Sequence, residues 1–244
     1  MEVRGNTILI TGGSSGIGLA LAIRYQALGN KVIIAARDID KLREVLKSFP
    51  GMEAFQCDLT RQTDIDALVV FIEQNHQDLN VLVNNAGIQY NYDFLGEQNL
   101  VNKIEYEVGA NFTSVIKLCG LLLPTLMKNK HPAIVNLSSG LALSPKRSAP
   151  VYCATKAAIH NFTVALRYQL NSTGVKVFEV LPSLIDTPMT EGRGANKISA
   201  DQLVTEFMKN FKKDNYEIYI GKTKLLKLIV RLWPSLAGRI MKGG

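Results

Sequence analysis

Thr11-Gly12-Gly13-Ser14-Ser15-Gly16-Ile17-Gly18 follows an apolar run, Thr7–Ile10, and opens a stretch of helical period, Gly16–Leu28. Glycines here permit a tight turn from strand into helix. They also let backbone N–H groups approach a pyrophosphate, whose charge a helix N-terminus favours. The spacing is G-x-x-x-G-x-G, not the common G-x-G-x-x-G, and no Lys-Ser/Thr pair follows, which excludes a P-loop nucleotidase. A glycine-rich turn is also compatible with a plain strand–helix connection, so its meaning depends on the rest of the chain.

Outward from this turn, apolar runs alternate with helical patterns. The runs are Lys31–Ala36, Met52–Cys57, Leu79–Val83, Ala133–Leu137, Val175–Leu181 and a short Glu217–Ile220. Between them lie Ile39–Ser48, Thr63–Asn75, a long stretch within Val101–Met127, Tyr152–Asn171 and Ala200–Phe211. Strands apolar on both faces, separated by helices, predict a parallel sheet of about seven strands with helices on each side. The fold class is therefore α/β, a single-domain, doubly wound, Rossmann-like sheet over residues 1–244, with 222–244 as a basic apolar tail. In such sheets ligands bind beyond the carboxyl ends of the strands. Polar and glycine residues fall there repeatedly: 11–18, Arg37, Asp58, Asn84–Gly87, Ser138–Ser139 and Pro182–Thr187.

The formal net charge is +7. Six basic residues and no acid lie between Lys222 and Gly244, so the remainder of the chain is close to neutral. No basic patch interleaved with base-stacking residues accompanies them, which argues against nucleic acid. The three cysteines are scattered and the three histidines lack metal-ligand spacing, so neither a disulfide framework nor a metal site is expected, and a reducing, cytoplasmic setting is. The start of the chain is neither basic nor apolar enough for a signal peptide, and no unbroken apolar run approaches the roughly 20 residues of a bilayer span.

TGGSSGIG (11–18), NNAG (84–87) and Asp58 in Cys-Asp-Leu-Thr resemble, in the right order and over nearly the whole chain, the short-chain dehydrogenase/reductase family. The run VLPSLIDTPMT (180–190) and the basic C-terminus look most like a bacterial subgroup related to the oxidoreductase of the D-alanyl-lipoteichoic-acid operon. The resemblance implies a nicotinamide dinucleotide held by Gly12, Ser14, Ser15, Gly16, Ile17, Gly18, Arg37, Asp58, Leu59, Asn85, Ala86, Gly87, Tyr152, Lys156, Pro182, Ile185 and Thr187. Ser183 stands where the family usually has glycine, a cost if that position needs positive φ. By the same resemblance, an NAD-selecting acid would stand where Ala36 is. A methyl leaves room for a 2′-phosphate and Arg37 offers planar donors to hold it, so NADP is favoured over NAD. Against this, Asp38 is adjacent, and Ser15 occupies a place where many NADP-preferring relatives carry Lys or Arg.

Tyr152 and Lys156 have the Y-x-x-x-K spacing, which puts phenol and ammonium on one helix face. A free phenol, with pKa about 10, exchanges protons poorly near neutrality. The ammonium, a positive nicotinamide and the helix N-terminus are each expected to favour the phenolate. The spacing alone is common. The resemblance gives Ser139, 13 residues earlier, the role of polarising the substrate oxygen, and gives Asn111 the positioning of Lys156 and a relay water. Ser138 is left a structural part, and His160 packing or a subunit contact.

The expected reaction is hydride transfer between the dinucleotide and a small carbonyl or alcohol, with Ser139, Tyr152, Lys156 and Asn111 as the catalytic set. The alternative is a non-catalytic dinucleotide sensor or scaffold, which would not need the phenol. Substrate choice falls to Ile88–Leu100, Gly140–Pro150 and the loop Asp186–Ser199. The tail is read as a helix packing on the body or a second subunit, in preference to membrane-surface docking. A homodimer or homotetramer is implied by resemblance alone.

Overall fold

The computed structural model describes residues 1–91 and 93–242. Tyr92, within the substrate-loop candidate Ile88–Leu100, and Gly243 and Gly244, at the end of the basic tail, lie outside the described residues. The chain runs β1 (Thr7–Thr11), α1 (Gly16–Ala27), β2 (Lys31–Ala36), α2 (Ile39–Ser48), β3 (Glu53–Gln56), α3 (Gln62–Asn75) and β4 (Val81–Asn84). It continues through α4 (Leu100–Val108), α5 (Ser114–Met127), β5 (Ala133–Leu137), α6 (Pro150–Gln169), β6 (Lys176–Pro182), β7 (Ile185–Asp186) and β8 (Ile198–Ser199). The last elements are α7 (Ala200–Lys212), β9 (Glu217–Ile220), α8 (Thr223–Leu232) and α9 (Pro234–Lys242).

Seven strands form one sheet in the order β3-β2-β1-β4-β5-β6-β9, and every pairing is parallel. Side chains alternate across the pleat, and the sequence supplies an apolar residue to both faces. Thus Ile8 and Ile10 face the layer of α1 and α7, with Leu21, Tyr25, Phe207 and Phe211. Leu9 faces the layer of α3, α5 and α6, with Leu68, Leu118 and Ile159. The strand order reverses between β1 and β4, which opens a crevice at their carboxyl ends.

Three features depart from the sequence reading. The stretch within Val101–Met127 is helical but not uniformly α: Gly109–Thr113 forms a π turn between α4 and α5. Leu100–Met127 is long and apolar enough to cross a membrane, although charged residues keep it from being an unbroken apolar run; half of its most apolar window is buried within the fold. The loop Asp186–Ser199 is partly ordered by the β7–β8 pair and by a 3-10 turn at Pro188–Thr190, which Thr187 and Thr190 close reciprocally.

The tail forms two helices, because Pro234 cannot continue α8 but suits the first turn of α9. Thr223 is buried against Gly140, while Leu228, Leu232 and Trp233 are exposed. Part of its positive charge is matched by the body: Lys224 pairs with Glu206, and Lys227 lies 3.6 Å from Glu217 and 4.0 Å from the Tyr219 ring centroid.

Candidate active site

The glycine turn sits at the crevice, with Gly12 and Gly16 at φ 66° and 54°, a region that favours glycine. Ser15 is the N-cap of α1, yet its side chain makes no capping bond, so the first amides of α1 keep their donors available. Asn85 locks the turn to the neighbouring strand end: its Nδ2 donates to Thr11 O at 2.9 Å and to Gly12 O at 3.3 Å. Gly18 lies behind the turn and does not line the crevice; a Cβ there would collide with Gly12 O and Asn85 Nδ2.

A continuous cavity of about 850 Å³ runs from this turn across the strand ends. It is lined at one end by Ser14, Ser15, Gly16, Ile17, Arg37, Asp58 and Leu59, and in the middle by Gly12, Asn85, Ala86, Gly87, Pro182, Ile185 and Thr187. Ser139, Tyr152 and Lys156 line its wall. The volume suits a dinucleotide and a small substrate. Of the candidate catalytic and cofactor-binding residues, Gly18 and Asn111 alone are outside the lining; both are packed behind it.

At the adenosine end, Arg37 Nη1 donates to the Tyr106 hydroxyl at 2.5 Å, which orients the guanidinium. Asp38 also lines this end of the cavity, but its carboxylate is engaged within the chain. It caps α2 by accepting from Lys41 N at 3.1 Å, and that bond holds its pKa below the usual value. Lys41, which sequence reading passed over, adds a second cation to the same end. Ser183 is not among the residues with positive φ, so the glycine-to-serine departure costs no backbone strain.

At the other end, Pro150 starts α6, which places Tyr152 in its first turn. Ser139 lies just past the end of β5, its hydroxyl accepting from Leu141 N at 3.1 Å and lowering the pKa of the nearby Tyr152 phenol. Lys156 is buried, its Nζ donating to Leu137 O at 2.8 Å and lying 5.6 Å from the Tyr152 ring centroid. Asn111 sits in the π turn, a distortion that turns its side chain inward. It accepts from Ile88 N at 2.8 Å and donates to Ile88 O at 2.9 Å, fixing the strand end beside Lys156. Ser138 Oγ donates to Lys156 O at 3.2 Å.

The electrostatics correct one expectation. Burial pushes the Tyr152 phenol up to about 12, only partly offset by the nearby Ser139 hydroxyl. Burial also pulls Lys156 down to about 8, opposed by the charges of Glu179 and Glu107. The folded chain alone therefore does not favour the phenolate; desolvation outweighs the neighbouring dipoles.

Two buried carboxylates stand behind the site, and neither was singled out in the sequence. Glu107 accepts from Tyr90 N at 3.3 Å. Glu179 lies mid-strand in β6 and is fully buried, with His160 Nδ1 at 2.8 Å from its Oε2. An acid within Val177-Phe178-Glu179-Val180-Leu181 was the available signal, since a carboxylate in a central strand needs a partner.

The hydrogen bond to Glu179 raises the His160 pKa. A raised histidine contributes stability in full below its unfolded value of about 6.5 and loses it as pH rises through the folded value. In His160→Gln the loss should be about 1.5–3 kcal/mol at pH 6 and smaller at pH 9. Denaturant unfolding at the two pH values checks this, and an equal loss at both contradicts it.

The crevice, the uncapped helix start and the Ser139–Tyr152–Lys156 wall define a dinucleotide-dependent oxidoreductase of the parallel α/β class. The chain belongs to the short-chain dehydrogenase family: the model of that family, described as short chain dehydrogenase, matches residues 6–198. It is 42% identical over 226 residues to an uncharacterized oxidoreductase, DltE, of Bacillus subtilis, covering 89% of each chain. A second relative, an uncharacterized oxidoreductase of Staphylococcus epidermidis, is 32% identical over 78% of this chain and 83% of its own. Among solved structures, a short-chain dehydrogenase from Sphingobium yanoikuyae in complex with NADPH superposes with a TM-score of 0.81 at 28% identity, covering 95% of this chain and 92% of that one. A short chain dehydrogenase from Burkholderia cenocepacia in complex with NADP shares the fold with a TM-score of 0.87 at 24% identity, covering 97% of both. The expected resemblance to a subgroup related to the lipoteichoic-acid-operon oxidoreductase is borne out by the DltE match.

Proposed function

We propose that the protein transfers a hydride between NADP(H), in preference to NAD(H), and a carbonyl or alcohol substrate, with Tyr152 exchanging the proton at the substrate oxygen. The observation that carries this reading is the convergence of Ser139, Tyr152 and Lys156 on the wall of one cavity whose far end is the glycine turn. Free amides at the start of α1 fit a pyrophosphate, and Arg37 with Lys41 fits a 2′-phosphate. A bound nicotinamide supplies or accepts the hydride and, when oxidised, adds positive charge beside the phenol. Ser139 holds the substrate oxygen by hydrogen bond and presents it to the Tyr152 hydroxyl. Lys156, fixed to Leu137 O, keeps an ammonium under the ring and lowers the cost of the phenolate. A pure binder has no use for a phenol set beside a serine hydroxyl and a buried lysine on the cavity wall, which disfavours the sensor or scaffold alternative.

Oxidation of NADPH and of NADH against a panel of small aldehydes and ketones tests the reading. Cofactor binding with no turnover of any carbonyl or alcohol would contradict it. For cofactor choice, Arg37→Glu should weaken NADP binding by about 10- to 100-fold, the worth of a charge-assisted hydrogen bond, and NAD binding by less than about 3-fold. Equal weakening of both, measured by fluorescence titration, would make Arg37 a general adenosine contact.

A further inference from the structure

Two cations on separate loops meet beside Tyr152 and are not used by the chemistry above. Lys146 lies between the 3-10 turn at Gly140–Ala142 and α6, and Arg193 lies in the loop after Thr190; both line the cavity. Neither is in an ion pair among the described residues. Arg193 Nη2 donates to Gln89 O at 3.4 Å, which orients the guanidinium, while its Nη1 is shut off from solvent without a hydrogen-bond partner. Burial lowers the pKa of Lys146, the two are close enough that the charge of Arg193 adds to that lowering, and Arg193 also bears on the phenol. Glu107, the carboxylate whose charge bears on the phenol, is fully buried on α4 and does not line the cavity. Partly desolvated like charges with a donor to spare are costly unless a ligand brings the opposite charge.

We propose that Lys146 and Arg193 form an anion subsite next to the reacting centre, which makes the substrate an oxo or hydroxy compound bearing a carboxylate or phosphate. This rests on the hydride-transfer reading above and adds the substrate class to it. The cofactor phosphates are served at the opposite end by α1 and Arg37, so this pair is surplus to them. A planar guanidinium grips a carboxylate or phosphate in bidentate fashion, and the lysine adds a point charge. The same cavity is lined by Met189, Leu225, Leu226 and Ile229, an apolar surface that fits the rest of such a molecule.

The test is calorimetric titration of the enzyme–NADP⁺ complex with benzoate, benzamide and phenyl phosphate. Benzoate should bind at least about 10-fold more tightly than benzamide, as a charged hydrogen-bond partner does. That preference should vanish in Arg193→Gln and fall in Lys146→Gln, with benzamide and NADP⁺ affinities held within about 3-fold in both. The ratio of phenyl phosphate to benzoate affinity identifies the anion. Equal binding of benzoate and benzamide by the wild type, or a benzoate preference surviving in both variants, overturns the subsite. Carbonyl turnover without an anion preference removes the subsite and keeps the hydride-transfer reading. Anion preference without turnover of any carbonyl does the reverse.

Discussion

Replacing Tyr152 by phenylalanine lowers kcat by about 10²- to 10⁴-fold, the usual worth of a positioned acid–base group, while the Kd for NADPH stays within about 3-fold. The substitution removes one hydroxyl from a ring that is packed into the first turn of α6 and keeps the same shape. The Ser139 hydroxyl retains its bond from Leu141 N and so is not left orphaned. Lys156 stays tied to Leu137 O. The chain should therefore fold and bind dinucleotide as before, so the loss appears in the chemical step. Stopped-flow single turnover separates that step from product release. A Tyr152→Phe enzyme with unaltered kcat would move the proton transfer to another group.

The second large effect is expected at Gly18→Ala, a residue that does not line the cavity. A methyl at this position meets Gly12 O and the Asn85 amide that ties Thr11 and Gly12 to the end of β4. Gly12 O belongs to the backbone of the turn and Asn85 is held by two acceptors, so neither can retreat cheaply. Overpacking of this kind costs about 1–3 kcal/mol of stability. The larger consequence is displacement of the phosphate cradle, where a shift near 1 Å costs about 100-fold in a well-fitted site. NADPH affinity should thus fall by about 100-fold, as read by fluorescence titration, with Tm reduced. Wild-type affinity in Gly18→Ala would mean that the turn is not the cradle.

The layer order and strand ends were legible in the sequence because both depend on local signals. Apolar runs bounded by glycine and polar residues specify parallel strands, and the strand termini then converge by topology alone. That is why residues as distant as Gly12, Asn85, Ser139 and Pro182 line one cavity. The π turn was not legible, since its extra residue leaves the helical period almost unchanged while re-aiming Asn111. The tail was legible as amphipathic but not as a wall of the cavity, because Thr223 docking on Gly140 is a tertiary contact. Arg37 with Tyr106, Glu179 with His160, and Lys146 near Arg193 are pairings between distant elements for which periodicity carries no information. The phenol's raised pKa was unreadable for a related reason: the sign depends on how completely Tyr152 is desolvated, which follows from packing.

Hydride transfer itself is tested most directly by following a deuterium label. With NADPH dideuterated at C4 of the nicotinamide and 4-carboxybenzaldehyde as the carbonyl, the wild-type enzyme should give an alcohol with one deuterium on the carbinol carbon, read by mass spectrometry. Under the same conditions Tyr152→Phe should give little or none. Alcohol formed without the label, or no labelled alcohol from any aldehyde or ketone by an enzyme that binds NADPH, would contradict the assignment of this site to hydride transfer.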